Sequence, residues 1–392
     1  MLFRSKTIPY GRQSISDEDA LAVVEALRSD WLTQGPAIEH FERTVADYCG
    51  ARYAVAVSSA TAALHLACIA AGMGPGRSLW TSPNTHVSSA NCARYCWGEV
   101  DFVDIDAQSL NMDVALLEDK LERAEEQGRL PQVIMPVDFS GQSCEMASIR
   151  QLANRYGVTV IEDASQALGG EYQGQKVGSC QHADMTVFSF HPDKTITTGE
   201  GGMVLTNRYD LAEKLLRLRS HGFTRQPQQM QNPSHSTPPS DWYYEQLELG
   251  YNYRITDIQA ALGASQMKRV EWFVARRCEI ANEYDRALSN LPLVTPWRHP
   301  DAASAWNLYV IQLSNQELKE LVFNKLSEAG IQAAVHYIPV HLQPYYRKLG
   351  FKIGDFLVAE RYYQHTISLP MFPALQSDEQ ALVVDVLCSA LA

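Results

Sequence analysis

The sequence predicts an α/β protein: a mainly parallel sheet with helices on both faces, followed by a smaller C-terminal α/β unit. Three observations predict it. Short apolar runs alternate with helical patterns from about Ala54 to Asn207, the order that yields parallel strands joined by crossover helices. The runs are apolar along most of their length, as strands covered on both faces are. A chain of 392 residues also exceeds the size at which one core keeps growing, so two units are expected.

Taken in order, Ala54 to Val57 reads as a strand and Ser58-Ser59-Ala60-Thr61 as a tight polar turn. Ala62 to Ala71 reads as a helix with Leu64, Ala67 and Cys68 on one face, stopped by Gly72. Further strands are expected near Val100 to Val103, Val133 to Val137, Val158 to Ile161, Met185 to Phe190 and Met203 to Thr206. In such a sheet the ligand lies at the strand ends. Gln226 to Asp241, rich in Pro, Gln, Ser and Asn and without periodicity, reads as a long loop that is either functional or disordered. From Asp257 a long helical stretch leads into the smaller unit, with a strand at Leu308 to Leu313, a helix at Gln316 to Ala329 and a terminal helix after Ser377. Ser377 and Gln380 have the spacing of a capping box. The expected division is a large unit over 1–250 and a small one over 251–392. No internal repeat is visible.

The chemistry centres on Ser189-Phe190-His191-Pro192-Asp193-Lys194-Thr195 and the glycine-rich turn that follows. Lys194 should emerge just beyond a buried strand, where core packing ends and a pocket begins. There its neutral amine can attack a carbonyl to form a Schiff base; an ordinary surface lysine is the bland reading. Upstream, the strand ending in Glu162-Asp163-Ala164-Ser165-Gln166 aims a carboxylate at a crevice. Together, Lys194 and Asp163 suggest pyridoxal phosphate, which acts as an electron sink while a buried carboxylate keeps its ring nitrogen protonated. Gln166 is suited to the ring hydroxyl. The free amides of Ala60 and Thr61 at a helix start, the Thr61 hydroxyl and the Ser189 hydroxyl form a candidate phosphate cradle, although the same pattern describes an ordinary capped helix.

Several segments carry a family likeness: Ile8-Pro9-Tyr10-Gly11-Arg12-Gln13, Leu32-Thr33-Gln34-Gly35-Pro36, Thr81-Ser82-Pro83-Asn84-Thr85, Glu162-Asp163-Ala164-Ser165, the Lys194 segment, Tyr251-Asn252-Tyr253-Arg254 and Val335-His336-Tyr337-Ile338-Pro339-Val340-His341. They resemble the DegT-type nucleotide-sugar aminotransferases over nearly the whole chain. The resemblance implies the fold type I (aspartate aminotransferase-like) architecture of the PLP-dependent transferases and transfer of an amino group from L-glutamate to a UDP-linked 4-keto sugar. It implies Lys194 as the cofactor-bearing lysine, Asp163 as the ring-nitrogen partner and Gln166 as the ring-hydroxyl contact. Ala60, Thr61 and Ser189 match the phosphate site. Asn252 and Arg254 match residues that reach into a neighbouring subunit's site, which implies a homodimer with shared sites. Tyr10, Gln34, His336, Tyr337 and His341 are expected around the sugar, with Trp242, Tyr243 or Tyr244 offering rings to stack on base or pyranose.

Three positions depart from the family pattern. His86 stands where an aromatic ring usually stacks on the pyridine, Asp138 where histidine is common, and Asp193 where an apolar residue is expected. Two added carboxylates near Lys194 would favour its ammonium form, unless Asp193 faces away as neighbours in an extended segment do. Within the family, dehydratases replace the lysine by histidine, so Lys194 argues for amino transfer; a non-catalytic cofactor-binding protein is the other alternative.

A net charge of −12 and a pI near 5.4 argue against nucleic-acid binding, which needs a basic surface. Met1 to Lys6 lacks the apolar core of a targeting signal, and no apolar run has membrane-spanning length, so a cytoplasmic protein is expected. The eight cysteines show no paired metal-ligand spacing and read as buried free thiols. No metal site is expected.

Overall fold

In the computed structural model, which describes residues 7–232 and 241–391, the central sheet has seven strands. They are β1 (Tyr53–Val57), β2 (Ser78–Thr81), β3 (Glu99–Phe102), β4 (Val133–Met135), β5 (Thr159–Asp163), β6 (Met185–Ser189) and β7 (Gly202–Thr206), in the order β1-β7-β6-β5-β4-β2-β3. The pairs β2/β3, β2/β4, β4/β5 and β5/β6 are parallel, and β7 runs antiparallel to β1 and β6. The expected mainly parallel sheet is present. Only β2 was not anticipated: four residues between Gly76 and Pro83 are too short to show a period, yet Leu79 and Trp80 bury on opposite faces.

Helices cover both faces. They are α1 (Asp17–Arg28), α2 (Pro36–Cys49), α3 (Ala60–Ala70), α4 (Ser88–Tyr95), α5 (Val114–Glu126), α6 (Met146–Tyr156), α7 (Tyr209–Leu218) and α8 (Asp257–Met267). On one face α3, α4 and α7 pack Leu64, Cys92 and Leu215 against Val57, Ile161 and Val187. On the other, α2 and α8 bring Phe41 and Ala260 against Phe188 and Met203, while α5 and α6 bring Leu121 and Ile149 against Ile134 and Val160. Alternation along the strands then decides where polar ends point. Asp163 follows Ile161 onto the α3/α4 face, and Ser189 follows Val187 there; Glu162 follows Val160 to the far side.

The C-terminal unit is a three-stranded antiparallel sheet of β8 (Leu293–Val294), β9 (Tyr309–Leu313) and β10 (Thr366–Leu369). It is packed by α9 (Val270–Leu288), α10 (Gln316–Glu328), α11 (Leu357–His365) and α12 (Ser377–Leu391). Helix α9 belongs to two cores: Val270 and Phe273 join Phe41 in the large unit, whereas Ile280 and Tyr284 join Tyr309 and Ile367 in the small one. Packing therefore carries the large unit past the expected division after residue 250.

Ser377 and Gln380 do not make the expected capping box. Helix α12 begins at Ser377 itself, the Glu379 carboxylate accepts the Gln376 N–H at 3.0 Å, and Gln380 turns inward to donate to the Ile280 carbonyl. A buried carbonyl needing a donor outcompeted a solvent-exposed cap.

Candidate active site

Lys194 ends a tight turn that starts where β6 stops, closed by its own N–H donating to the His191 carbonyl at 3.0 Å. The turn brings side chains that would diverge in a strand to the same side. Lys194 Nζ donates to Asp193 Oδ2 at 3.1 Å, and Asp193 Oδ1 shares a hydrogen bond of 2.6 Å with His191 Nδ1. Asp193 thus faces Lys194, contrary to the extended-segment expectation. Burial acts to raise the Asp193 carboxyl, but the Lys194 and His191 partners outweigh it and hold it below its ordinary range.

Asp163 lies at the end of β5, buried, and three donors orient its carboxylate. Ser89 Oγ donates to Oδ2 at 2.6 Å; the Ser165 N–H and hydroxyl donate to Oδ1 at 3.2 and 2.5 Å. Ser89 itself is tied to Thr85 at 2.7 Å. The sequence reading missed both serines. Ser165 was legible, being two residues beyond an aspartate as in an Asx turn; Ser89 sits on α4 and reaches Asp163 only through the fold.

The residues of the candidate phosphate cradle lie where three strands meet in register. Val57 and Ser189 both pair with Gly202, so the Ser189 hydroxyl is set beside the turn that opens α3. Ser59 caps that helix by accepting the Ala62 N–H at 3.1 Å, leaving the first amides, of Ala60 and Thr61, without intrahelical acceptors. A side chain at Gly202 would place its Cβ 2.5 Å from the Ser59 carbonyl and 2.6 Å from the Ala60 nitrogen. Close approach of backbone to backbone therefore demands glycine there.

A wall of polar rings surrounds Lys194. Gln166 Oε1 accepts the Ser140 N–H at 2.6 Å and its Nε2 donates to the Tyr337 hydroxyl at 2.9 Å. Ser140, which also donates to the Leu308 carbonyl, thereby ties Gln166 to the small unit; this was a third missed contributor. The His336 ring lies 5.6 Å from that of Tyr10 and shares a hydrogen bond with Ser368. Burial, reinforced by the Lys194 charge, pushes His336 down to about 4 despite Asp193. Burial and then Asp193 raise the Tyr10 hydroxyl, and burial, Asp193 and Asp163 raise that of Tyr337. His86 is exposed, its ring 6.1 Å from Tyr337.

Other expected site residues lie elsewhere. His341 is fully buried, its Nε2 2.9 Å from Glu360 Oε1 and its ring packed near Phe102 and Phe356, so it cannot line an open sugar pocket; a core site claimed it. Gln34 is exposed on the loop whose Gly35 and Ala37 amides donate to Asp257. Asn252 and Arg254 are held by bridges to Ser220 and Val57, and among the described residues their side chains pair with nothing. Tyr244 packs on Phe223 at 4.6 Å while Trp242 is exposed; residues 233–240 of the expected loop lie outside the described residues. Asp138 does not add charge beside Lys194. It is buried, with Oδ1 accepting the Cys144 N–H and Oδ2 unpaired, and burial and Glu162 raise its carboxyl well above the ordinary range.

The residues present fit pyridoxal phosphate. An amine, an oriented carboxylate and a backbone cradle that a Cβ would obstruct converge on one face of the sheet. No group of His, Cys, Asp or Glu suited to a metal occurs among the described residues, and none of their helices is long and apolar enough to cross a membrane.

Comparison with known proteins agrees. A spore coat polysaccharide biosynthesis protein, SpsC of Bacillus subtilis, is 39% identical over 388 residues, covering 97% of this chain and 96% of that protein. A UDP-4-amino-4,6-dideoxy-N-acetyl-beta-L-altrosamine transaminase of Campylobacter jejuni is 36% identical over 390 residues, covering 98% and 97%. The structure of Helicobacter pylori PseC, an aminotransferase involved in biosynthesis of pseudoaminic acid, superposes with a TM-score of 0.88 at 31% identity, covering 98% of this chain and 99% of that one. The family model for DegT/DnrJ/EryC1/StrS aminotransferases matches residues 13–388. This chain belongs to the DegT/DnrJ/EryC1/StrS aminotransferase family and is a sugar aminotransferase dependent on pyridoxal phosphate.

Proposed function

We propose that the protein moves an amino group from L-glutamate to the 4-keto carbon of a UDP-linked 6-deoxy-N-acetylhexosamine, a step suited to pseudaminic acid biosynthesis. The observation that carries the reaction class is Lys194 at the rim of the sheet, on the face where Asp163 is held by Ser89 and Ser165. The substrate rests on likeness to the Campylobacter transaminase and to PseC.

When bound, pyridoxal phosphate supplies an electron sink for negative charge developing at the donor's α-carbon. Lys194 Nζ would hold the cofactor, and its amine would carry the proton taken from that carbon. Asp163 keeps the ring nitrogen protonated. The amides of Ala60 and Thr61 and the hydroxyls of Thr61 and Ser189 bind the phosphate, which the positive end of α3 favours. Gln166 would contact the ring hydroxyl, and His86 would be the residue available to cover the ring. Tyr10, His336 and Tyr337 line the sugar side; a neutral His336 can donate or accept one hydrogen bond there without adding charge.

Unpaired Asn252 and Arg254 on a firmly anchored segment, and exposed Gln34, support a homodimer in which these residues complete the neighbour's site. A cytoplasmic location fits the nucleotide-sugar substrate.

The test is a panel of UDP-linked and dTDP-linked 4-keto sugars incubated with L-glutamate and purified protein. An amine at C4 of the UDP-N-acetyl sugar is expected. Amination of only a dTDP sugar, or at C3, would replace the proposed substrate.

A further inference from the structure

Asp193 and His191 are not needed to hold a cofactor, yet they form a continuous hydrogen-bonded path out of the site. Lys194 is 11% exposed and Asp193 17%, while His191 is 51% exposed. The two contacts, 3.1 Å from Lys194 Nζ to Asp193 Oδ2 and 2.6 Å from Asp193 Oδ1 to His191 Nδ1, use both oxygens of one carboxylate. Nothing else among the described residues hydrogen-bonds the amine. The other charged or titratable groups facing Asp193 and Lys194 do not offer an exit. Tyr10 and Gly11 cover Asp193 from the N-terminal segment, a Cβ at Gly11 falling 3.7 Å from that of Asp193. His336 is buried against Ser368, Tyr337 is tied to Gln166, and Asp163 is occupied by Ser89 and Ser165. Arg277 is buried, with Nη1 donating to the Trp306, Asn307 and Met371 carbonyls and no hydrogen bond to Asp193 or Lys194 among the described residues. His86 is exposed but bonded to Ser88.

We propose that His191 and Asp193 form a proton relay between bulk water and the amine of Lys194. It rests on the reading of Lys194 as the proton-carrying lysine. In the inward direction, water protonates the outer nitrogen of His191 and Nδ1–H passes its proton to Asp193 Oδ1; rotation of the resulting carboxyl about its Cβ–Cγ bond turns that same proton toward Lys194, and it passes to the free amine, leaving Asp193 a carboxylate again. Each group ends with one bond to hydrogen made and one broken, so a single proton moves from water to lysine and no electron is transferred. Run outward, the path discharges the proton that the lysine takes from the donor's α-carbon. Asp193 and His191 are therefore positioning residues that act through Lys194.

The direct test uses L-glutamate deuterated at the α-carbon in one half-reaction in ordinary water. In the wild type most of the deuterium should be lost to solvent; in His191→Gln and Asp193→Asn several-fold more should be kept in the aminated cofactor, because the lysine no longer exchanges. A structural role would change rates without changing this partition. The second measurement uses full-length protein freed of cofactor, in which Lys194 is acetylated with acetic anhydride across a pH series. Removal of the counter-charge in Asp193→Asn should let labelling begin at lower pH than in the wild type, with Asp193→Glu restoring the wild-type profile. Unchanged deuterium retention in His191→Gln, or an unchanged labelling profile in Asp193→Asn, overturns the relay. A wild-type protein with no glutamate half-reaction would instead count against the aminotransferase reading, and the labelling series would still decide whether Asp193 governs the amine.

Discussion

His336 and His341 lie in one segment, and both are buried, yet they serve different parts of the molecule. His336 faces the Lys194–Asp193 pair and Tyr10, its ring hydrogen-bonded among the described residues to the neutral Ser368, and burial keeps it uncharged. His341 points the other way, into rings of Phe102 and Phe356, with Glu360 as its partner. Glu360 also accepts the Gly354 N–H at 2.8 Å, and the Val340 N–H reaches the Pro83 carbonyl at 2.9 Å, so this cluster staples the segment to the loop after β2. The contrast teaches that a histidine's task follows from the groups it faces: near the lysine, a neutral donor or acceptor suited to the proposed ligand site; among phenylalanines, a polar strut that holds the segment in place.

The contrast can be broken from the site side first. Lys194→Ala should abolish the visible absorbance of the bound cofactor and lower amino transfer at least about a thousandfold, as removal of a nucleophile and proton carrier does, with the protein still folded by circular dichroism. Wild-type turnover in that variant would end the assignment.

From the other side, His341→Ala should act on stability. It strands a buried carboxylate and opens a void, so unfolding in urea should cost less by about 3 kcal/mol. The folded fraction should still load cofactor on Lys194. A stable variant with a lost sugar response would return His341 to the binding site.

The pH dependence of stability sharpens the comparison. His336 is held at about 4 against an ordinary 6.5. Below pH 6.5 the unfolded chain takes up a proton there that the folded protein refuses until about pH 4, so stability falls as pH falls through that window, by at most about 3 kcal/mol, and nothing is lost above it. His336→Asn should flatten that part of a denaturation-midpoint series measured against pH; an unchanged slope would show that His336 titrates freely.

The smallest effect is expected for Tyr337→Phe. It removes one hydrogen bond to Gln166, worth about 1 kcal/mol, and should weaken cofactor retention a few-fold in a dialysis series, with no change in unfolding beyond that amount.

Much of this was legible beforehand for physical reasons that particular residues show. The strands at Val133, Val158 and Met185 are short and apolar because both faces are covered, and that pattern is local. Lys194 and Asp163 could be singled out because each follows such a strand into a polar turn. Ser89, Ser140 and the β2 strand could not: each owes its role to a partner far along the chain, Asp163, Gln166 and the flanking strands respectively. His341 was misplaced because a motif groups residues by order, whereas side-chain direction follows the turn of the backbone. For Asp193 the expectation of a carboxylate near Lys194 held, and only the alternative that it faces away failed, since a tight turn replaced the strand in which it would have done so.

By itself the sequence determined the α/β class, the family and the two residues on which the proposed chemistry rests, because hydrophobic period and strand-end polarity are written in neighbouring residues. Only the tertiary structure decided which carboxylates are charged and which are not. Asp138 and Asp193 are the same residue type. One is buried beside another acid without a cation and is driven toward its neutral form; the other meets a lysine and a histidine and remains an anion. Charge depends on burial and on partners brought together in space, and neither is visible until the chain is folded.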